Sequence, residues 1–201
     1  MTTTKALDGL RPLRKTGGGT NSTGFNEYPV STGYSSNIFS GDLVKIVGGY
    51  CQVITSTEDF ANGVFVGCRY VANGKPEWSK YWPASTSVTE AFAFVIDDQY
   101  ATFAIQADAS VTIGDMNSQN FSVTLGAGSA VTGRSGFGLK AAGRGVAKGM
   151  FRPIRAVPVP GNNVNVAAEN AYLVVETRIL QHRDHIIDVI ASTGVITSVV
   201  I

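Results

Sequence analysis

The spacing of turn residues constrains this chain more than any other feature. From residue 28 onward, short runs of apolar and β-branched residues are cut by Gly, Asn, Asp or Pro roughly every 8–12 positions, the rhythm of an antiparallel β fold. Residues 42–47 and 50–55 flank Gly48 and Gly49. That pair suits a two-residue hairpin turn, because glycine reaches positive φ without a Cβ clash. Residues 63–71 form the next run, and Asn73-Gly74 turns it into a return strand over 77–82 that stops at Pro83. Residues 91–96 are nearly all apolar and short, which indicates a buried strand. Asp97-Asp98 closes it as a turn, and residues 100–107 resume with Phe103 and Ile105 on one face. Phe121, Val123 and Leu125 alternate with Ser122 and Thr124, the period of a half-buried strand. Residues 171–180 give the longest candidate. In it Leu173, Val175, Thr177 and Ile179 would face a core, while Glu176 and Arg178 share the other face with Tyr172 and Val174. Residues 186–190 and 195–201 read as two more strands around Gly194. Residues 138–151 compete as a helix, but each internal glycine costs about 1 kcal/mol there, so they read as a loop. There is no fixed-period repeat. The expected fold is all-β: an antiparallel β-sandwich or barrel, jelly-roll-like. The 23 glycines and a charged fraction of only 15% fit that class rather than a helical bundle.

Residues 1–24 lack the pattern. They hold Lys5, Arg11, Arg14 and Lys15 against one acid, Asp8, followed by a run of Gly, Ser, Thr and Asn. Such a stretch buries too little apolar area to fold alone. Leu7, Leu10, Pro12 and Leu13 still give it a short apolar patch. It reads as a flexible basic arm on a Gly17–Gly19 linker, attached to one β domain over 25–201. Within that domain, 127–170 is read as a long loop or small insertion.

Net charge is +1, so the molecule as a whole is not a general polyanion binder. The charge is unevenly placed: no acid lies between Asp115 and Glu169, while Arg134, Lys140, Arg144, Lys148, Arg152 and Arg155 all do. Between Arg134 and Arg155 the aromatics are Phe137 and Phe151, too sparse for single-strand stacking. The reading is a solvated segment offset by acids elsewhere, or a face for an acidic protein, and no specific nucleic acid. Cys51 and Cys68 are two in 201 residues, so they are expected to be buried free thiols. The first residues lack the apolar run of a secretion signal, and no window approaches a membrane span. Synthesis in the cytoplasm and no membrane partner are the expectation.

The chemistry-bearing motifs mostly fall away. His182 and His185 are three apart, a spacing that unites imidazoles on a helix but separates them on a strand. No third ligand accompanies them, so a surface turn is expected and no metal. Asp97 and Asp98 diverge as neighbours on a strand and cannot form a facing acid–base pair. Gly136-Phe137-Gly138 has no parallel βαβ unit around it, and Gly17–Gly19 lacks a following Gly-Lys-Ser/Thr. No serine stands in a Gly-x-Ser-x-Gly elbow. The expectation is no catalytic residue and no cofactor. Trp78, Tyr81 and Trp82 cluster; such aromatics cover a core, meet a partner chain, or form a sugar platform.

Several segments together carry a resemblance. They are GLRPLR, SSNIFSGDLVKIVGG, NGVFVGCRYV, WSKYWPAS, FVIDDQYATFAIQAD, TGRSGFGL and TRILQHRD, in that order over nearly the whole chain. The set resembles the head decoration, or cement, proteins of tailed bacteriophages. The resemblance implies a non-enzymatic virion protein on the outer face of the capsid, binding the major capsid protein and itself, as a homotrimer or a dimer. It makes Leu10, Arg11, Pro12, Leu13 and Arg14 candidates for capsid contact, and Trp78, Tyr81 and Trp82 candidates for the oligomer interface. The basic 134–155 stretch and the tail after Asp184 are longer than the family pattern. Two further readings stand beside it: a carbohydrate- or receptor-binding β module of a virion, and a tail-tube structural protein.

Overall fold

A computed structural model of the chain describes residues 5–16, 24–57, 59–146, 149–158, 162 and 172–184, with the backbone of 188–190 and 196–198. The strands, in chain order, are β1 (Arg11–Lys15), β2 (Asn26–Pro29), β3 (Ile38–Phe39), β4 (Leu43–Val47), β5 (Tyr50–Val53), β6 (Gly63–Ala72), β7 (Lys75–Ser79) and β8 (Tyr81–Trp82). They continue with β9 (Ala91–Ile96), β10 (Ala101–Gln106), β11 (Ser122–Thr124), β12 (Gly138–Lys140), β13 (Phe151–Ala156), β14 (Val174–Ile179), β15 (Asp188–Ile190) and β16 (Ile196–Ser198). Every pairing between these strands is antiparallel. The fold is an all-β antiparallel sandwich.

Two sheets carry the architecture. The larger runs β2-β9-β6-β4-β5 with β7 added to β6, and the smaller runs β1-β10-β14-β13. Leu43, Val64 and Ile96 of the larger sheet meet Phe103, Ile105, Val175 and Ile179 of the smaller in one core, joined by Phe121, Val123 and Leu139. The opposite face of the larger sheet presents Val44, Phe65, Cys68 and Val95 to a second core, covered by Ile38 and Trp82 from the short β3–β8 pair. The sheet curls around that core until β2 and β5 have Cα atoms within 8 Å of each other. Alternation does this work: neighbours such as Leu43 and Val44 feed opposite cores from one strand.

The hairpins expected at Gly48-Gly49 and Asn73-Gly74 are present as β4–β5 and β6–β7. The strands over 91–96, 100–107 and 171–180 appear as β9, β10 and β14, with Leu173, Val175, Thr177 and Ile179 buried as the alternation requires. The strands expected near the carboxyl end pair as β15 and β16. Leu125 departs from its alternation: it lies past the end of β11 and is exposed.

Three expectations are corrected. Residues 5–16 do not belong to a detached arm. Leu10 is 2% exposed in the first core, and β1 pairs with β10 along the edge of the smaller sheet. Residues 1–4 and 17–23, including the Gly17–Gly19 linker, lie outside the described residues. The 127–170 region is not simply a loop, since it supplies β12, a 3-10 turn over 141–143 and β13. Pro153 disguised β13, because proline donates nothing to a ladder. Here it sits beside a bulge between Pro153 and Arg155 on the sheet's other edge strand, where the missing donor is tolerated. His182 is not at a surface turn. It is 1% exposed and bridges to Ala61, while His185 lies outside the described residues.

Candidate attachment surface

Three segments distant in sequence meet where β1 enters the smaller sheet. Gly9 N–H donates to the Phe137 carbonyl at 3.1 Å, and Leu10 N–H to the Gly41 carbonyl at 3.0 Å. Ser135 N–H donates to the Ser40 carbonyl at 3.0 Å. Backbones this close leave no room for side chains. A Cβ on Gly9 would stand 2.4 Å from the Ser135 Cβ and one on Gly41 3.0 Å from Leu10 N, and both glycines have positive φ. The turn over residues 39–42 is held by the buried Asp42 carboxylate, which accepts the Phe39 N–H at 2.7 Å. Burial pushes the Asp42 carboxyl up to about 6, against hydrogen bonds from Ser135 and Phe39 that pull it down.

A cleft of about 190 Å³ opens beside this junction, lined by Asp8, Arg11, Pro12, Ser40, Lys80 and Arg134 among others. Arg134 Nη1 stands 2.9 Å and Arg11 Nε 3.7 Å from the same Asp8 oxygen. Two cations thus share one carboxylate at its rim, with Lys80 lining the same cleft.

The outer face of the smaller sheet is the second element. Register places Arg11 and Arg14 of β1, Glu176 and Arg178 of β14, and Arg152 and Arg155 of β13 on it. Glu176 is 1% exposed, although it points away from the core. Arg14 and Arg155 reach it from opposite sides, each donating its Nε–H to a different carboxylate oxygen at 2.6 Å, and Thr102 adds a hydroxyl at 2.9 Å. Burial alone would raise this carboxyl. The bonds from Arg14, Arg155 and Thr102 outweigh it and hold the group below the usual carboxylate range.

The contact candidates therefore divide. Leu10 is in the core, Pro12 lines the cleft, and Arg11, Leu13 and Arg14 are exposed on β1. Trp78, Tyr81 and Trp82 do not form one surface. Trp78 is 69% exposed on β7. Tyr81 stacks on Phe39 with centroids 5.5 Å apart. Trp82 is fully buried, edge-on to Tyr70 at 5.7 Å, and is corrected from interface to core. The reason is local: the return strand breaks at Lys80, and β8 pairs with β3 instead of continuing along β6.

The basic 134–155 stretch is offset in large part by acids elsewhere in the fold. Arg134 pairs with Asp8, Arg144 with Asp115 and Arg155 with Glu176, while Arg152 bonds the Asn120 side-chain oxygen. Asp98 holds a turn, accepting the Tyr100 N–H at 2.8 Å. Cys51 and Cys68 are free and buried in the second core, and burial pushes each thiol up to about 12. Among the described residues no cluster of three or more His, Cys, Asp or Glu could hold a metal ion, and no helix is long and apolar enough to cross a membrane. The junction, the cleft and Glu176 escaped sequence reading because each joins segments far apart in the chain; the sequence signal at Glu176 was only an acid in a strand otherwise rich in apolar residues. Comparison with family models, curated proteins and solved structures finds no match for this chain.

Proposed function

We propose that this chain is a head decoration protein of a tailed bacteriophage. It binds the outer surface of the major-capsid lattice, associates with itself as a trimer or dimer, and stabilises the head without catalysis. The observation that carries the reading is the way β1 is presented. One side of the strand is locked into the sheet by Leu10 and the β10 ladder, while Arg11, Leu13 and Arg14 face outward. An attachment element built like this is pre-organised, so little ordering entropy opposes docking. The GLRPLR, SSNIFSGDLVKIVGG and TGRSGFGL segments of the resemblance contribute the residues that meet at its base. Weak single contacts suffice for such a protein. A dissociation constant near 1 mM is about 4 kcal/mol, and several copies linked in one oligomer multiply it through effective concentration.

The carbohydrate reading rested on three neighbouring aromatics, and with Trp82 buried and Tyr81 stacked on Phe39 it has Trp78 alone. The test is sedimentation of the purified chain with undecorated heads of the phage that encodes it, followed by electron microscopy. Co-sedimentation with density on the outer surface is expected. A chain absent from mature particles, or found only inside them, ends the proposal.

A further inference from the structure

The outer face of the smaller sheet carries more positive charge than the fold needs. Five arginines and one glutamate lie on it by register, in a molecule whose formal net charge is +1. The remainder of the chain is therefore net negative, so the charge is concentrated rather than general. Glu176 is enclosed, and one arginine would have balanced it; two converge on it. Each donates through Nε only, so the terminal amino groups of both guanidinium forks make no hydrogen bond among the described residues. Their side chains stay 44% and 55% exposed. The Arg178 side chain is exposed beside them and makes no hydrogen bond or ion pair among the described residues, and Arg152 stands opposite it across the ladder. The central carboxylate thus acts as a peg that holds outward-facing donors in fixed positions.

We infer that this face is a docking surface for an acidic protein, one that presents clustered Asp or Glu side chains. Planar guanidinium forks match carboxylates in paired hydrogen bonds, and fixing them beforehand removes much of the rotamer cost of binding. Nucleic acid is the less suitable occupant. Among the described strands no aromatic side chain lies on this face by register, so it lacks the stacking platforms that single-stranded nucleic acid needs. The inference rests on the decoration reading for the identity of the partner, and on charge alone for its chemistry.

The test uses poly-L-glutamate as the probe, with binding followed by calorimetry at low and at physiological salt. The full chain is expected to bind at low salt and to weaken steeply as salt rises. Arg178→Glu reverses an exposed, unbonded side chain and so leaves the fold intact; it is expected to weaken binding at least tenfold. Glu176→Gln leaves one of the two guanidinium groups facing an amide NH2 instead of a carboxylate oxygen, so one donor loses its fixed position, and the variant is expected to weaken binding although it adds a positive charge to the face. Lys75→Glu, at the tip of the β6–β7 hairpin on the other sheet, is expected to change nothing. Equal binding by wild type and Arg178→Glu, an equal loss in Lys75→Glu, or tighter binding of a short DNA duplex than of poly-L-glutamate would each overturn the inference. Heads separate it from the decoration reading. If Arg178→Glu decorates heads as well as wild type, this face fails and decoration stands. If the wild type ignores heads but keeps its arginine-dependent glutamate binding, the face stands and decoration fails.

Discussion

Leu10 decides whether the leading segment belongs to the body of the protein. Its side chain is 2% exposed in the core between the two sheets, and Leu13, three residues on, is 40% exposed at the β1 bulge. Truncating Leu10 to alanine removes buried methyl groups and leaves a cavity, which typically costs 2–5 kcal/mol. The surroundings cannot close on that cavity easily. The backbone on either side is pinned, by Gly9 to Phe137 and by Leu10 itself to Gly41. The cost should therefore fall near the middle of the range, about 3–4 kcal/mol. For a domain of this size each kcal/mol lowers Tm by about 2–4 °C, so Leu10→Ala should melt about 6–16 °C below wild type. Leu13→Ala should stay within about 0.5 kcal/mol, or roughly 2 °C. Differential scanning calorimetry with urea titration gives both numbers. A chain lacking residues 1–16 should fail to reach the native state, because it loses Leu10 and leaves the buried Glu176 with one arginine fewer. Equal Tm values for Leu10→Ala and Leu13→Ala, or a truncated chain with a wild-type melting curve, would refute the placement of β1.

Asp42 is raised to about 6 by burial, whereas an unfolded aspartate titrates near 3.9. Between those values the folded state holds more protons than the unfolded one, so stability falls as pH rises through the window. Asp42→Asn removes that fall, and its stability relative to wild type should improve by about 2 kcal/mol between pH 4 and pH 8 in urea titrations. Glu176 runs the other way. Its depressed folded pKa contributes stability that is complete above about pH 4.3 and is lost as pH falls through the folded value, so the gap between wild type and Glu176→Gln should shrink on acidification below about pH 4. Trp82→Ala should cost about 3–5 kcal/mol and Trp78→Ala almost nothing, measured in the same way. Cys51 and Cys68 should react with a thiol reagent such as DTNB only at the rate of unfolding; fast labelling of the native protein would contradict their burial.

Local chemistry was legible wherever it was self-contained. Gly48-Gly49 and Asn73-Gly74 name their hairpins because positive φ is a property of those residues alone. β9 and β14 were legible because their apolar spacing repeats without interruption. β1 and β13 were hidden by Pro12 and Pro153, each beside a bulge that breaks the two-residue period on an edge strand. Trp82 was misplaced because a single break at Lys80 hands it to another strand. The burial of Glu176 depends on Arg14 and Arg155 arriving from separate strands, which no window of sequence contains.

The ion pair between Arg14 and Glu176 joins residues 162 positions apart. On a ribosome adding about 5–20 residues per second, the two are made roughly 8–32 s apart. The larger sheet, spanning residues 26–96, emerges whole well before β14 does. The smaller sheet is different: its first strand is translated earliest, and its neighbours arrive later. The arginine face therefore cannot exist until β14 has been made. If that face docks as proposed, the larger sheet is complete on the growing chain while the docking face is still missing, and copies interrupted before β14 would not occupy their partner's sites.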